Sequence, residues 1–347
     1  MMDFKEFTQK AEQDIRAALE DASPGIEVRI NQVEKLQEES YTAITLTPAG
    51  SNIGMNLNLN QLYDYLQRGE SCEAVISSAV NQAKEHLAGM PRFNISELSS
   101  YEAAKDLLFV DVVGTKVNAE MLSKVPHTDM EDISMVYRMQ LEQLSDGAMT
   151  VLVTNDLMNR MGITKEQLHA DALASSERVR PASMKTMAEV LTNMMGMSPE
   201  MLPEDMPGPK LYVVTNEEGS HGAAAAFYPD FMDQAAKEFG SNFFILPSSV
   251  HEVLFVPDDG SLQVDQLRDM VTDINASEVA PADRLTDSVY HYDAAERIFE
   301  LGEKWEAREA ERENNRGSVL DSLKEKQQSM GERQKAASHK SKSEPEL

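Results

Sequence analysis

The sequence contains a single cysteine, Cys72, among its 347 residues. One cysteine excludes an intramolecular disulfide. It stands in QRGESCEAVISSAV, where apolar residues recur at helical spacing, so we expect it to fill space as a small buried hydrophobic side chain.

Long apolar runs are also missing. No stretch of about 18 apolar residues occurs, which is the length that a transmembrane helix requires. The opening MMDFKEFTQKAEQDI lacks the charged-then-apolar pattern of a secretory signal. We therefore expect a cytoplasmic protein with no membrane partner.

Basic residues are few, with 32 Lys and Arg against 59 Asp and Glu and a net charge of −27. Residues 301–347 hold 10 basic and 10 acidic side chains, so residues 1–300 carry the whole negative charge. Such a surface repels phosphate backbones, which makes nucleic acid an unfavourable partner. Good solubility is the simplest meaning of this charge, and an acidic mimic of DNA is a second possibility.

The hydrophobic fraction of 41% is enough for a packed core. Residues 3–22 have the spacing of an amphipathic helix, and alternating patterns predict three strands and then two helices. Short strands and helices continue to about residue 293, so we predict an α+β fold with mixed, largely antiparallel sheets, flanking helices and two lobes. The predicted divisions are an N-terminal lobe at 1–120, a C-terminal lobe at 121–293, and a charged tail, helical to disordered, at 294–347.

The sequence predicts the local structure of three short segments in the C-terminal half. AAAAFYP, residues 223–229, is short and closed by Pro229, which favours a strand. GSHG, residues 219–222, lacks the following Lys-Ser/Thr of a phosphate loop and is interpreted as a hairpin loop. MKTMAEVLTNMMG, residues 184–196, has helical spacing.

ILPSSVHEVLFVP, residues 245–257, places a polar group between two apolar runs. His251-Glu252 matches half of a zinc-protease helix, but Phe255 stands where the second histidine is required, so that mechanism is rejected. Ser249 and His251 could act as nucleophile and base, although Cβ atoms two residues apart on a strand are about 6–7 Å apart. A plain strand–turn–strand, a binding site and a catalytic site built on Ser249, His251 and Glu252 all stay open.

Other polar residues are candidates for binding. MTVLVTN and KLYVVTN each end in Thr-Asn, which singles out Asn155 and Asn216, and Ser248 and His127 complete the set. Seven histidines are scattered along the chain, and sequence alone does not show that they meet. We predict no metal site and no cofactor.

An ordered set of segments resembles an uncharacterised bacterial family, domain-of-unknown-function family 5688, from about Phe4 to Asp293. The segments are VPH (125–127), VLVTN (151–155), YVVTN (212–216), GAAAAFYP (222–229), GSNFFILPSSVHEVLFVP (240–257) and NASEVAPADRLTDSVYHYD (275–293). The resemblance implies one long body in an intracellular bacterial protein. It supplies no catalytic residue.

Three functions are compatible with these observations. The first is a non-catalytic binding or accessory protein that acts through contacts with a protein partner. The second is a hydrolase or metal-dependent enzyme centred on His251 and Glu252, and the third is the acidic DNA mimic. Whether the protein is an enzyme, and its oligomeric state, stay open.

Overall fold

The computed structural model describes most of the chain up to residue 315. The described residues are 2–20, 23–37, 39–49, 51, 54–89, 100–144, 147–196, 209–247 and 249–315.

Residues 4–89 form the N-terminal unit, in which three helices pack on a three-stranded antiparallel sheet. Its elements are α1 (Phe4–Glu20), β1 (Glu27–Val33), β2 (Tyr41–Thr47), β3 (Met55–Asn58), α2 (Leu59–Gln67) and α3 (Cys72–Gly89). The strands lie in the order β1-β2-β3. Helix α1 buries Phe7, Ala11, Ile15 and Leu19, which recur every four residues and so form one stripe against the sheet. Asn58 caps α2 by accepting a hydrogen bond from the Gln61 backbone N–H, as expected of asparagine at a helix start.

Residues 100–315 form the body, which begins with a second antiparallel sheet. Its strands are β4 (Leu108–Gly114), β5 (His127–Met130), β6 (Ile133–Leu144) and β7 (Gly147–Leu152). Strand β4 covers one edge of the long β6, while β5 and β7 share the other edge. The helices around this sheet are α4 (Tyr101–Ala104), a 3₁₀ turn (Lys105–Leu107), α5 (Ala119–Leu122), α6 (Asn155–Met161) and α7 (Lys165–Val179).

A third, six-stranded sheet completes the body in the order β13-β12-β10-β11-β9-β8. Its strands are β8 (Ala182–Thr186), β9 (Tyr212–Asn216), β10 (Phe243–Leu246), β11 (Val253–Pro257), β12 (Tyr290–Asp293) and β13 (Ile298–Leu301). The helices that accompany it are α8 (Met187–Met195), a 3₁₀ helix (Ala223–Phe227), α9 (Phe231–Phe239), α10 (Val264–Ser277) and α11 (302–315).

One large apolar core joins the second and third sheets. Tyr137 from the second sheet and Phe243, Phe255 and Tyr290 from the third are fully buried in it. The outer face of the third sheet has its own core under α10 and α11, where Trp305 stacks on His291 with ring centroids 4.2 Å apart. The predicted α+β class with antiparallel sheets is confirmed.

None of the helices in the described residues is both long enough and apolar enough to cross a bilayer.

Two of the local predictions are wrong. AAAAF forms a 3₁₀ helix, and its four alanines are buried in the large core, because tertiary packing of small side chains overrides the short-strand pattern. The helix predicted from residue 184 begins only at Met187, since Thr186 closes β8 and caps α8 in a reciprocal capping box with Glu189.

The predicted division at residues 120 and 293 stays a prediction. Strand β4 lies on the N-terminal side of the first boundary and pairs with β6 on the other side. Residues 298–315, assigned to the tail, add β13 and α11 to the body. Residues 316–347 lie outside the described part.

Candidate functional site

The ILPSSVHEVLFVP segment forms a β-hairpin, as the strand–turn–strand interpretation predicts. Strands β10 and β11 pair antiparallel, with Ile245 opposite Phe255 and Leu246 opposite Leu254. The polar residues therefore lie in the loop 247–252 at the end of the hairpin. Ser248 lies outside the described residues.

Ser249 is buried and supports the backbone of this loop. Its Oγ accepts a hydrogen bond from the His251 backbone N–H at 3.0 Å, and its backbone forms an isolated β-bridge with Arg284. A serine hydroxyl that accepts from a backbone group two residues later is a turn cap. Ser249 thereby connects the hairpin to residues 278–289, which we call the wall loop.

His251 uses both ring nitrogens inside the protein. Nδ1 accepts a hydrogen bond from the His221 backbone N–H at 3.1 Å, and Nε2 lies 3.3 Å from Asp283 Oδ1. Because Nδ1 is an acceptor, the ring proton belongs on Nε2, where it faces the carboxylate. The imidazole therefore links the wall loop to residues 217–222, which we call the histidine loop.

Glu252 belongs to a different surface. It is exposed and lines a groove of ≈ 610 Å³ between α8 and the strands β8 and β9, together with Lys185 and Asn193. His251 and Glu252 are neighbours in sequence, but the His251 ring contacts His221 and Asp283 whereas Glu252 lines the groove.

Asn216 holds the histidine loop from within. It is buried at the end of β9, its Nδ2 donates to the Ser220 carbonyl at 2.8 Å, and its Oδ1 accepts from the Ser220 N–H at 3.3 Å. Gly222 ends the loop at a point where a Cβ atom would lie 2.1 Å from Thr215 Oγ1 and 2.7 Å from the His251 carbonyl oxygen. Only glycine fits at this position. The segment predicted as a hairpin loop is instead a turn that leads from β9 into the 3₁₀ helix.

The histidine loop presents His221 beside a buried carboxylate. His221 Nδ1 lies 3.5 Å from Oδ2 of Asp111 on β4, and the same oxygen accepts a hydrogen bond from Arg138 Nε at 2.8 Å. Burial alone would raise the pKa of Asp111, but the neighbouring His221 imidazole and the charge of Arg138 outweigh it, so the pKa lies below its ordinary value. The carboxylate is therefore ionised at neutral pH.

The other two candidates lie elsewhere in the body. His127 is on β5, with Nδ1 3.0 Å from the Val125 carbonyl oxygen. Asn155 opens α6, and its Nδ2 donates to the Ser123 carbonyl at 3.4 Å. Both residues hold the turn that follows α5. Of the seven candidates, Asn216, Ser249 and His251 come together.

A cleft of ≈ 930 Å³ lies between the N-terminal unit and the body. One side is built by the end of β3 and the start of α2, and the other side by the wall loop. The lining residues are Gln37, Glu39, Ser40, Tyr41, Asn58, Asn60, Gln61, Asp64, Val117, Pro281, Ala282, Arg284, Leu285, Thr286 and Asp287. The wall loop thus faces the hairpin on its inner side and the cleft on its outer side.

Gln37 fastens the two sides beside this cleft. Its backbone N–H donates to Asn118 Oδ1 at 2.6 Å, its Nε2 donates to the Arg284 carbonyl at 2.5 Å, and its Oε1 accepts from the Gly114 N–H at 3.2 Å. Its φ of 66° is in the left-handed region, which non-glycine residues occupy only where surrounding contacts hold them. Leu36 adds an apolar anchor by packing in a small core with Val113.

Sequence reasoning missed Asp111, Asp283 and the cleft. A signal for Asp111 existed, because an acid in the apolar strand LLFVDVV is rarely buried unless it is paired. Asp283 and the cleft residues gave none, since only the tertiary fold brings Asp283 to the hairpin and the two walls of the cleft to each other.

The part of the chain that the structure describes contains no group of three or more His, Cys, Asp or Glu side chains placed to hold a metal ion together.

Comparison with known proteins gives a family but no activity. No curated protein and no solved structure is similar enough to this chain to match it. The model of the family of unknown function DUF5688 matches residues 4–294. This range covers the N-terminal unit, the hairpin, both loops and the cleft, and the chain belongs to that family.

Proposed function

We propose that this chain is a binding protein whose cleft receives a positively charged segment of a partner protein. The observation that carries the proposal is the cleft itself, with one wall from the N-terminal unit and the other from the body. Small-molecule and cofactor sites are commonly clefts of roughly 300–1,000 Å³, often at the boundary between structural units, and the volume of ≈ 930 Å³ falls in that range.

The charge of the lining favours a cation. Glu39, Asp64 and Asp287 contribute three carboxylates against the single guanidinium of Arg284. Glu39 and Asp64 are exposed, and no described residue forms an ion pair with either of them. The chain as a whole carries −27, so its field attracts positive segments and repels negative ones.

The uncharged part of the lining favours a peptide. Side-chain amides and hydroxyls reach the cleft from Ser40 and Gln61, and within the described residues neither side chain has a hydrogen-bond partner. Such groups can donate to and accept from the backbone of an extended segment. Arg284 offers less, because its Nε already donates to the Val279 carbonyl at 3.1 Å.

The contacts of His251 and Glu252 do not favour an enzyme centred on these two residues. Both nitrogens of His251 are engaged, and Glu252 lies on another surface. The acidic DNA mimic stays an alternative prediction, and it differs from the cleft proposal in one testable respect: a mimic presents charge over a wide surface, whereas the cleft concentrates it.

Fluorescence anisotropy with a labelled peptide of Lys-Gly repeats tests the proposal. We expect binding that weakens between about 50 mM and about 300 mM salt, and no binding of the matching Glu-Gly peptide. The double variant Glu39→Gln/Asp64→Asn should bind the Lys-Gly peptide about 2- to 30-fold more weakly, since each exposed charge contributes roughly 0.2–1 kcal/mol.

The matched control is Glu85→Gln/Asp269→Asn, which removes the same charge from exposed positions on α3 and α10. Its affinity should stay near that of the unmodified chain. Equal weakening by the two double variants would contradict the cleft proposal and favour the DNA mimic.

A further inference from the structure

A second site is separate from the cleft and lies where the histidine loop meets the second sheet. Asp111 and Arg138 stand on the face of that sheet opposite the large core, because residues on either side of them in β4 and β6 point into the core. His221 reaches this face from the histidine loop. The three side chains meet at one oxygen atom, Asp111 Oδ2.

The buried carboxylate determines which nitrogen of His221 carries the proton. Asp111 is 1% exposed, and its Oδ1 accepts from the Val112 N–H at 2.9 Å. An ionised oxygen that faces Nδ1 keeps the proton on that nitrogen and leaves a lone pair on Nε2. No described residue forms a hydrogen bond with Nε2, and 47% of the His221 side chain is exposed.

The backbone of His221 is held in an uncommon conformation. Its φ is 49°, in the left-handed region that costs a non-glycine residue of order 1–3 kcal/mol. The contacts that hold it there come from His251 Nδ1 and from Asn216, and Arg180 adds a hydrogen bond to the Ser220 carbonyl at 3.2 Å. These contacts hold the strained backbone in place and so fix the direction in which the His221 imidazole points.

We infer that His221 is a general base, positioned by Asp111, that activates water for the hydrolysis of a carboxylic ester. Nε2 takes a proton from water while the water oxygen forms a bond to the carbonyl carbon. The bond between that carbon and the leaving oxygen then breaks, and the proton passes from Nε2 to the leaving oxygen. An ester and water become an acid and an alcohol, with no other reactant.

Water is the nucleophile in this scheme because of what surrounds His221. Ser249 in the neighbouring hairpin loop is buried, and its hydroxyl is engaged with the His251 N–H. The neighbouring ring of His251, at a centroid distance of 5.4 Å, has both nitrogens occupied. His221 is thus the one imidazole of this cluster with a lone pair open to a substrate.

Hydrolysis of p-nitrophenyl acetate by the full chain tests the inference. We expect His221→Gln to lower the rate by about 100-fold or more, the size typical of general-base catalysis. His86→Gln is the matched control, since His86 is exposed on α3 and has no described partner, and its rate should be unchanged. A His221→Gln rate equal to that of the unmodified chain would overturn the inference.

Nitrogen-15 NMR of the ring provides a second measurement that needs no substrate. We expect the neutral His221 ring to carry its proton on Nδ1 in the unmodified chain. A proton on Nε2 would overturn the inference, because that nitrogen would then have no lone pair to accept a proton from water.

Discussion

Two histidine–carboxylate pairs lie side by side in this protein and are built in opposite ways. In the pair His251–Asp283 each nitrogen of the imidazole has a partner within the protein, and the carboxylate is 41% exposed. In the pair His221–Asp111 the carboxylate side chain is 2% exposed, and the imidazole keeps one nitrogen open to solvent. The ring centroids are only 5.4 Å apart.

The difference distinguishes a histidine whose contacts hold two loops in place from a histidine with a nitrogen that can react. His251 stands in the most recognisable segment of the sequence, yet its contacts are those of a residue that fixes two loops. One of these loops presents His221, and the other forms a wall of the cleft. A distinctive polar motif can therefore belong to the residues that hold a site and not to those that face a ligand.

The largest expected effect comes from removing the buried charge. Asp111→Asn leaves the guanidinium of Arg138, 21% exposed, beside a neutral amide. Breaking such a pair by neutralising one partner costs about 3–5 kcal/mol. We expect a loss of this size in the free energy of unfolding, measured by urea denaturation at pH 7.

The stability lost in Asp111→Asn should depend on pH, and the direction of this dependence follows from the pKa of Asp111. The pKa of Asp111 is lower in the folded protein than in the unfolded chain, so its stabilisation is complete above the unfolded pKa of about 4 and is lost as the pH falls through the folded pKa. The difference in stability between the unmodified chain and Asp111→Asn should shrink below about pH 4. A difference that stays constant down to pH 2 would show that Asp111 is not ionised.

The matching substitution in the other pair should have a much smaller effect. Asp283→Asn keeps an oxygen that can accept from His251 Nε2, and the carboxylate it replaces is partly in water. The expected loss is below about 1 kcal/mol in the same urea experiment. A loss as large as that of Asp111→Asn would mean that the two pairs are not different in kind.

Much of the fold could be predicted from the sequence, because it depends on local patterns. The stripe of α1, the hairpin around residues 247–252 and the class of the fold all follow from periodicity and turn residues. The buried 3₁₀ helix of Ala223–Phe227 did not, since only tertiary packing decides that four alanines enter the core.

The site was less predictable than the fold. His251 and Ser249 were found because they stand between two apolar runs, Asn216 because it belongs to a Thr-Asn pair that ends a strand, and the structure brings the three together. Asp111 is 110 residues before His221 in sequence, so their meeting depends on how the second and third sheets pack. The two walls of the cleft are even farther apart in sequence, and a local sequence pattern does not show that such distant segments come together.

Hydrogen exchange of the full chain with and without the Lys-Gly peptide tests the central claim, that binding takes place in the cleft. We expect the peptide to slow amide exchange in residues 58–64 and in the wall loop, with no change in α9 (Phe231–Phe239), which does not line the cleft. Slower exchange in the histidine loop without protection of either cleft wall would contradict the claim.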